Sequence, residues 1–369
     1  MSNKDTLFRP LKVRNTTFKN RIAMAPMTRS FSPNGIPGDN VRDYYERRAA
    51  ADVGLIITEG TVISHGGASS DANIPLFHTE PALNAWGKVV DAVHKAGGMI
   101  APQVWSQGMA RKPGTGHYPD APTDSPSGLT FKGAQVAPEP TQAEVEDMIN
   151  SYIDGAADAA RLGFDAIEFH GAHGYLIDQF FCDITNKRED KYGGDLVGRA
   201  TFAAEIIKGT REKVGETPII LRWSQWKLFD YAARMAHTPQ ELEAFVKVFA
   251  DAGVDMLHCS QRRYWVAEFP EVDGENGLNL AGWCKKLTGL PTISVGSVGL
   301  SSDFGGAFAN EGSKYRPLDD LYERMEKDEF DMIAVGRALL QDPEWAKKVK
   351  EDRLDELQDY DGEAIKTLF

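Results

Sequence analysis

Eight short apolar runs recur along the 369-residue chain, at 22–25, 54–58, 99–104, 166–170, 219–223, 256–259, 292–295 and 332–335. Between them lie stretches with apolar residues at three- and four-residue spacings, at 81–95, 141–162, 196–214, 239–252 and 317–327. Short buried strands alternating with amphipathic helices mark a parallel α/β fold, because parallel strands need a crossover to bring the chain back. Eight such units predict a closed (β/α)8 TIM barrel; an open doubly wound sheet is the alternative that the pattern alone also permits. The helix ends carry their own signals. Thr141 and Thr238 are N-cap candidates, with Glu144 and Glu241 three residues on and Pro239 in a first turn; Gly163 and Gly253 close helices just before strands.

The segments outside the barrel pattern have distinct characters. Residues 6–18, ahead of the first run, read as a short hairpin closing the bottom of the barrel. Residues 106–140 are rich in Gly and Pro, lack a helical period and follow strand three, which predicts a cap over the active face. Residues 300–316 form a second insertion, after strand seven. A single domain spanning 1–369 is expected.

Composition narrows the function classes. A net charge of −13 argues against a nucleic-acid partner and against an anionic membrane surface. Cys182, Cys259 and Cys284 are odd in number and widely spaced, and no C-x-x-C pair exists, so neither a disulfide framework nor a cysteine-ligated cluster is expected. With no apolar leader and no run long enough to span a bilayer, a cytoplasmic enzyme is the expectation, as a monomer or homo-oligomer acting on a small molecule.

Chemistry in such barrels sits at the C-terminal ends of the strands. There the sequence places Ala25-Pro26-Met27-Thr28, Glu59-Gly60, Gln103 with Trp105, His170 followed by His173 and Tyr175, Arg222, Gly296-Ser297, and Gly336-Arg337. Two histidines three apart just past a strand end can aim at one small volume. As neutral imidazoles each donates one N–H, which suits a carbonyl, nitro or phenolate oxygen. The same spacing also serves a His-x-x-His metal pair, although Asp178 and Asp183 are not obviously placed to complete it. Tyr175 is either a proton donor or a packing residue. Arg222 ends the apolar run Ile219-Ile220-Leu221, where a guanidinium is costly unless it meets an anion. Glu168 shares a strand face with His170 and is a candidate buried partner for a neighbouring base; a structural ion pair is the other reading. Glycines after strands seven and eight, one followed by Arg337, suit a phosphate, or else simply make tight turns. No G-x-G-x-x-G fingerprint opens the chain.

These residues together resemble the old yellow enzymes, the NAD(P)H:flavin oxidoreductases. The resemblance runs from Leu7-Phe8-Arg9-Pro10-Leu11-Lys12-Val13 and Lys19-Asn20-Arg21-Ile22-Ala23-Met24-Ala25-Pro26-Met27-Thr28-Arg29, through Ile57-Thr58-Glu59-Gly60 and Gln103-Val104-Trp105, to Val335-Gly336-Arg337. Its most specific piece is His170 to Tyr175 with Leu176-Ile177-Asp178-Gln179-Phe180, Asn186-Lys187-Arg188-Glu189-Asp190 and Tyr192-Gly193-Gly194. It covers the chain from Leu7 to about Trp345.

The resemblance implies FMN as cofactor and NADPH or NADH as a transient reductant. It implies that Ala25, Pro26, Met27 and Thr28 line the isoalloxazine, with Thr28 bonding O4. Gly60 would allow close approach to the ring and Gln103 would bond its pyrimidine edge. Arg222 would face N1 and O2, where negative charge develops on reduction. Gly296, Ser297, Gly336 and Arg337 would hold the phosphate. The implied activity is that of an ene-reductase. Flavin N5 gives hydride to the β-carbon of an α,β-unsaturated carbonyl or nitroalkene, His170 and His173 hold the activating oxygen, and Tyr175 delivers the proton.

The chain departs from the family pattern in places. Thr28 resembles the branch with Thr, not Cys, at that position. Asp195-Leu196-Val197-Gly198-Arg199 replaces the usual Ser-x-Glu-Asn-Arg. Trp223-Ser224-Gln225-Trp226 and Arg262-Arg263-Tyr264-Trp265 are unusually aromatic and would overhang the substrate side. Trp226, Tyr264 and Trp265, with Trp105, are therefore candidate substrate contacts, or else they pack the cap.

Overall fold

The computed structural model describes residues 4–303, 305 and 311–369. Its centre is a closed barrel of eight strands, each parallel to its neighbours. They are β1 (Ile22–Met24), β2 (Leu55–Val62), β3 (Ile100–Trp105), β4 (Ile167–His173), β5 (Ile219–Lys227), β6 (Met256–Ser260), β7 (Thr292–Val295) and β8 (Met332–Val335), with β8 pairing back onto β1. All eight expected runs are strands, and closure excludes the open-sheet alternative. Three strands run more than one residue past their apolar stretch. β2, β4 and β5 continue into Val62, His173 and Lys227, so polar residues that the sequence leaves in loops are held in strand pairing.

Helices cover the barrel as their apolar stripes require. Glu80–Lys95, Gln142–Leu162, Pro239–Ala252 and Asp319–Glu326 occupy four of the expected stretches. Thr141 forms a full capping box with Glu144, Thr238 caps through the Glu241 N–H, and Gly163 and Gly253 take left-handed φ of 84° and 96°. The stretch 196–214 is not one helix. It breaks at Ala200 into Leu196–Arg199 and Thr201–Val214, with Asp195 accepting from the Gly198 N–H as a separate N-cap. Two crossover helices lie outside the expected stretches, Asp39–Ala50 after β1 and Leu280–Thr288 after β6.

The N-terminal hairpin, Leu11–Val13 paired antiparallel with Thr16–Phe18, closes one end of the barrel. Its Leu11, Val13 and Phe18 form one apolar cluster with inward residues from the starts of the strands, among them Leu55, Ala101 and Ile220. That end is therefore filled, and chemistry is left to the other.

The cap, 106–140, is held by arginines. Arg111 donates to the carbonyls of Ala121 (2.9 Å) and Tyr118 (2.7 Å), and Arg188 to those of Pro126 (2.9 Å) and Pro140 (2.7 Å). The insertion 300–316 is described only in part, since 304 and 306–310 lie outside the described residues. At its edges Leu300 bridges Tyr315, and Ser313 bridges Tyr360, which brings the C-terminal segment to the open end of the barrel. Among the described residues no helix is long and apolar enough to cross a membrane.

Candidate active site

The C-terminal ends of the strands surround a cavity of about 300 Å³, at the lower bound typical of small-molecule sites. Its walls include Ala25, Pro26, Met27, Thr28, Gly60, Gln103, Trp105, His170, His173, Tyr175, Arg222, Gly296, Ser297, Gly336 and Arg337. Two register shifts shape it, one between Ile57 and Gly60 in β2 and one between Gly171 and His173 in β4. Such irregularities re-aim side chains beside a site. At Gly60 a Cβ would come within 3.2 Å of the Trp105 ring, so glycine keeps this wall flat. At Gly296, φ is 150° and a Cβ would meet the Gln261 carbonyl oxygen at 2.5 Å. Only glycine lets these two backbones approach.

Arg222 is the costliest residue of the cavity. It is buried, its Nε has no partner, and its Nη2 reaches Ser260 Oγ only at 3.5 Å. Burial pulls its pKa down to about 10, against the opposing charge of Glu168. A buried guanidinium with unfilled donors facing a cavity calls for an acceptor-rich ligand. Beneath it Glu168 accepts from Gln103 Nε2 (2.8 Å) and meets His258 Nδ1 at 2.6 Å. The amide of Gln103 is thus turned with its NH2 inward and its carbonyl free for the ligand.

His170, His173 and Tyr175 converge beside Arg222, with His170 paired to it across the β4–β5 ladder. The two imidazole centroids are 5.2 Å apart, and that of His170 lies 5.0 Å from the Tyr175 ring. Trp105 meets Tyr175 edge-on at 5.3 Å. Burial first, then the charge of Arg222, push both histidines well below their usual pKa, so they are neutral at pH 7. The Ala172 N–H donates to His170 Nδ1 (3.3 Å), which leaves the ring proton on Nε2. Burial raises the Tyr175 pKa, so its phenol keeps its proton.

Two expected substrate contacts are elsewhere. Tyr264 is buried with its hydroxyl on Asp320 Oδ1, and Trp265 lies beneath the Arg316 guanidinium, 3.5 Å from its ring centroid. Neither lines the cavity. Both turn away after β6 ends, towards the helix Asp319–Glu326. Trp226 does line it, stacked on His173 at 4.5 Å. Ser297 and Arg337 line it while their side chains bond backbone carbonyls, Ser297 those of Arg262 and Ser302, and Arg337 those of Ser302 and Asp303. Asp178, considered as a metal carboxylate, is paired with Lys227 instead.

Sequence reasoning missed Ser260, Tyr360 and Ile365 as wall residues, and His258 beneath them. His258 lies inside the apolar run 256–259, two residues after Met256 and on the same strand face, so the strand pattern held a signal for it. Tyr360 and Ile365 had none, because a distant tail brings them in.

The motifs match a known family along nearly the whole chain: the one described as NADH:flavin oxidoreductase / NADH oxidase aligns with residues 6–356. The chain belongs to this family, the old yellow enzymes. It is 34% identical over 366 residues to an NADH oxidase of Thermoanaerobacter brockii, covering 97% of this chain and 52% of that protein. The chain thus spans about half the length of this curated relative. Among solved structures it resembles morphinone reductase (TM-score 0.76, 25% identity, 94% of this chain and 89% of that one). It also resembles the old yellow enzyme homologue from Zymomonas mobilis (TM-score 0.75, 25% identity, 94% and 92%).

FMN is the cofactor of this family and NAD(P)H its reductant. The cavity fits FMN on its own evidence: an unpartnered buried Arg222 Nε, a flat wall at Gly60, and a close backbone approach at Gly296.

Proposed function

We propose that this old yellow enzyme is an ene-reductase, which reduces the activated C=C of α,β-unsaturated carbonyl compounds or nitroalkenes at the expense of NAD(P)H. The observation that carries this reading is the convergence of two neutral imidazoles and one protonated phenol on a single wall of the cavity, beside Arg222 on the neighbouring strand.

FMN bound here supplies hydride transfer from the nicotinamide to the β-carbon of the alkene. In this reading the chain does the rest. Ala25, Pro26, Met27, Thr28, Gly60 and Gln103 bind the isoalloxazine, with the Gln103 carbonyl accepting from its pyrimidine edge. Arg222 faces the side where negative charge accumulates, with no reorganisation needed at the moment of reaction. Gly296, Ser297, Gly336 and Arg337 bind the phosphate, with Ser297 and Arg337 exchanging carbonyl partners for it.

His170 Nε2–H donates to the activating oxygen of the substrate, drawing charge from the C=C bond, and His173, whose Nε2 meets Ser260 Oγ at 2.8 Å without ligand, exchanges that partner to donate its ring N–H to the same oxygen. Tyr175 O–H gives its proton to the α-carbon. Trp105 and Trp226 bound the substrate on two sides and limit its poses. We read residues 1–369 as one domain with a cytoplasmic setting and a small-molecule partner.

The test is product analysis. The purified protein with FMN, NADPH and 2-cyclohexenone should give cyclohexanone, with one NADPH consumed per alkene. NADPH consumption that depends on oxygen and yields no saturated product would replace this reading with that of an oxidase.

A further inference from the structure

β5 runs four residues beyond its apolar stretch, through Ser224-Gln225-Trp226-Lys227, and three of these four side chains or their partners hold one turn of β4. That turn is conformationally expensive. His173 has φ 66° and Gly174 φ 87°, two consecutive left-handed residues, and the first is not glycine. His173, which lacks the freedom of glycine, must be held there by its surroundings. Ser224 Oγ accepts the His173 N–H (3.1 Å), and Trp226 stacks on the His173 ring at 4.5 Å and 27°. Below the turn, Asp178 Oδ2 accepts the Gly174 N–H at 2.6 Å, while Asp178 Oδ1 takes Lys227 Nζ at 2.5 Å. Both charged side chains are buried, at 2% and 0% exposure. Lys227 is completed by the Ser224 carbonyl (3.3 Å) and Met235 Sδ (3.2 Å).

We infer that Asp178 is a positioning residue for catalysis. Through the Gly174 N–H it fixes the turn that aims His173 and Tyr175 into the cavity, and Lys227 holds its other carboxylate oxygen. The inference rests on the roles proposed above for His173 and Tyr175. Gly174 stands between those two residues in sequence, so a shift in its peptide moves both at once. An ion pair is a costly way to fill a core. Here its carboxylate makes a directed bond to the backbone of the site, which a hydrophobic pair of equal volume could not make. Gln179 holds the other side of the same peptide, donating from Nε2 to the Gly174 carbonyl (2.7 Å).

Two double variants separate positioning from bulk stability. Asp178→Asn/Lys227→Met removes both charges and keeps an acceptor for the Gly174 N–H. Asp178→Ala/Lys227→Met removes the charges and the acceptor. Each is loaded with FMN and titrated with p-chlorophenol, an oxygen ligand for the two histidines, and Kd is read from the perturbed flavin spectrum beside Tm and FMN affinity. The Asn variant should bind the phenol within about threefold of the parent. The Ala variant should lose about tenfold or more, equivalent to ~1.4 kcal/mol, and its kcat for enone reduction should fall with it while FMN affinity holds. Equal phenol affinity in the two variants would overturn the inference, whatever their Tm values, as would an equal loss in both. A parent protein that binds FMN but no phenol would instead strike the proposed roles of His170 and His173, and is distinguishable because it fails before any substitution is made.

Discussion

Glu168 Oε2 and His258 Nδ1 lie 2.6 Å apart with both side chains fully buried, Glu168 paired in register with Gln103 and His258 with Arg222. Glu168 is the anionic centre of this group, since its other oxygen holds the Gln103 amide and its charge offsets Arg222. Removing it would leave the buried Arg222 without the opposing charge that offsets it. Breaking a buried pair from one side costs about 3–5 kcal/mol. We expect Glu168→Ala to lose stability of that order in urea unfolding of the FMN-free protein, with Arg222→Met/Glu168→Gln recovering part of it. A loss below about 1 kcal/mol would mean that Glu168 does not compensate Arg222 in the fold.

Arg222 should tune the flavin as well as bind it. A cation beside the pyrimidine edge favours the reduced, more negative cofactor. Arg222→Met is expected to weaken FMN binding and to lower the two-electron midpoint potential by about 30 mV or more, which is a tenfold change in equilibrium for a two-electron couple. Potentiometric titration of the FMN-loaded variant measures it. An unchanged potential would place Arg222 away from the reacting part of the ring.

The barrel is legible in the sequence because its strands are buried on both faces and therefore read as apolar runs. The rim is less so. The helix Asp39–Ala50 was invisible because its buried face is Val41, Tyr44, Tyr45, Arg48 and Ala49, a correctly spaced stripe in which only two residues are aliphatic. The continuation of β5 to Lys227 was hidden for a similar reason: Ser224, Gln225 and Lys227 are polar yet buried, Ser224 and Lys227 because they hold the turn at His173 and Gln225 because it bonds Met235, Ala236 and Glu268. The site residues were legible where chemistry and strand ends coincide, as at Gln103, His170 and Arg222. Where the chain leaves the strand, facing is no longer set by alternation, and Tyr264 and Trp265 were assigned to the wrong side.

That difference can be measured. Trp226 stacks on His173 in the cavity wall, whereas Trp265 is covered by Arg316 outside it. Trp226→Ala should raise KM for a cyclic enone by about tenfold, or roughly 1.4 kcal/mol of binding. Trp265→Ala should change KM less than twofold while lowering Tm. Equal effects on KM would return Trp265 to the substrate side.

The protonation states have a spectroscopic consequence. Burial and the charge of Arg222 hold His170 and His173 well below the usual histidine pKa, so each stays neutral while an exposed histidine is already protonating near pH 6.5. In ring-15N-labelled protein, both residues should show neutral-imidazole shifts from pH 8 down to pH 6, with His170 as the Nε2–H tautomer. kcat/KM for the enone should lack an ionisation near 6.5 from either ring. An imidazolium pattern at pH 7 would contradict the neutral-donor geometry.

Tyr175 keeps its proton at neutral pH and faces the same volume as the two histidines. Tyr175→Phe should slow alkene reduction about 10²-fold, the scale of a lost general acid, while reduction of the flavin by NADPH changes less than threefold. Stopped-flow measurement of the two half-reactions separates them, and an equal slowing of both would assign Tyr175 to binding alone.

The most direct experiment follows the visible spectrum of the FMN-loaded protein in one anaerobic cuvette. Stoichiometric NADPH should bleach the flavin bands, and 2-cyclohexenone should then restore them without oxygen. Bands that bleach with NADPH and return only when air is admitted would contradict an ene-reductase.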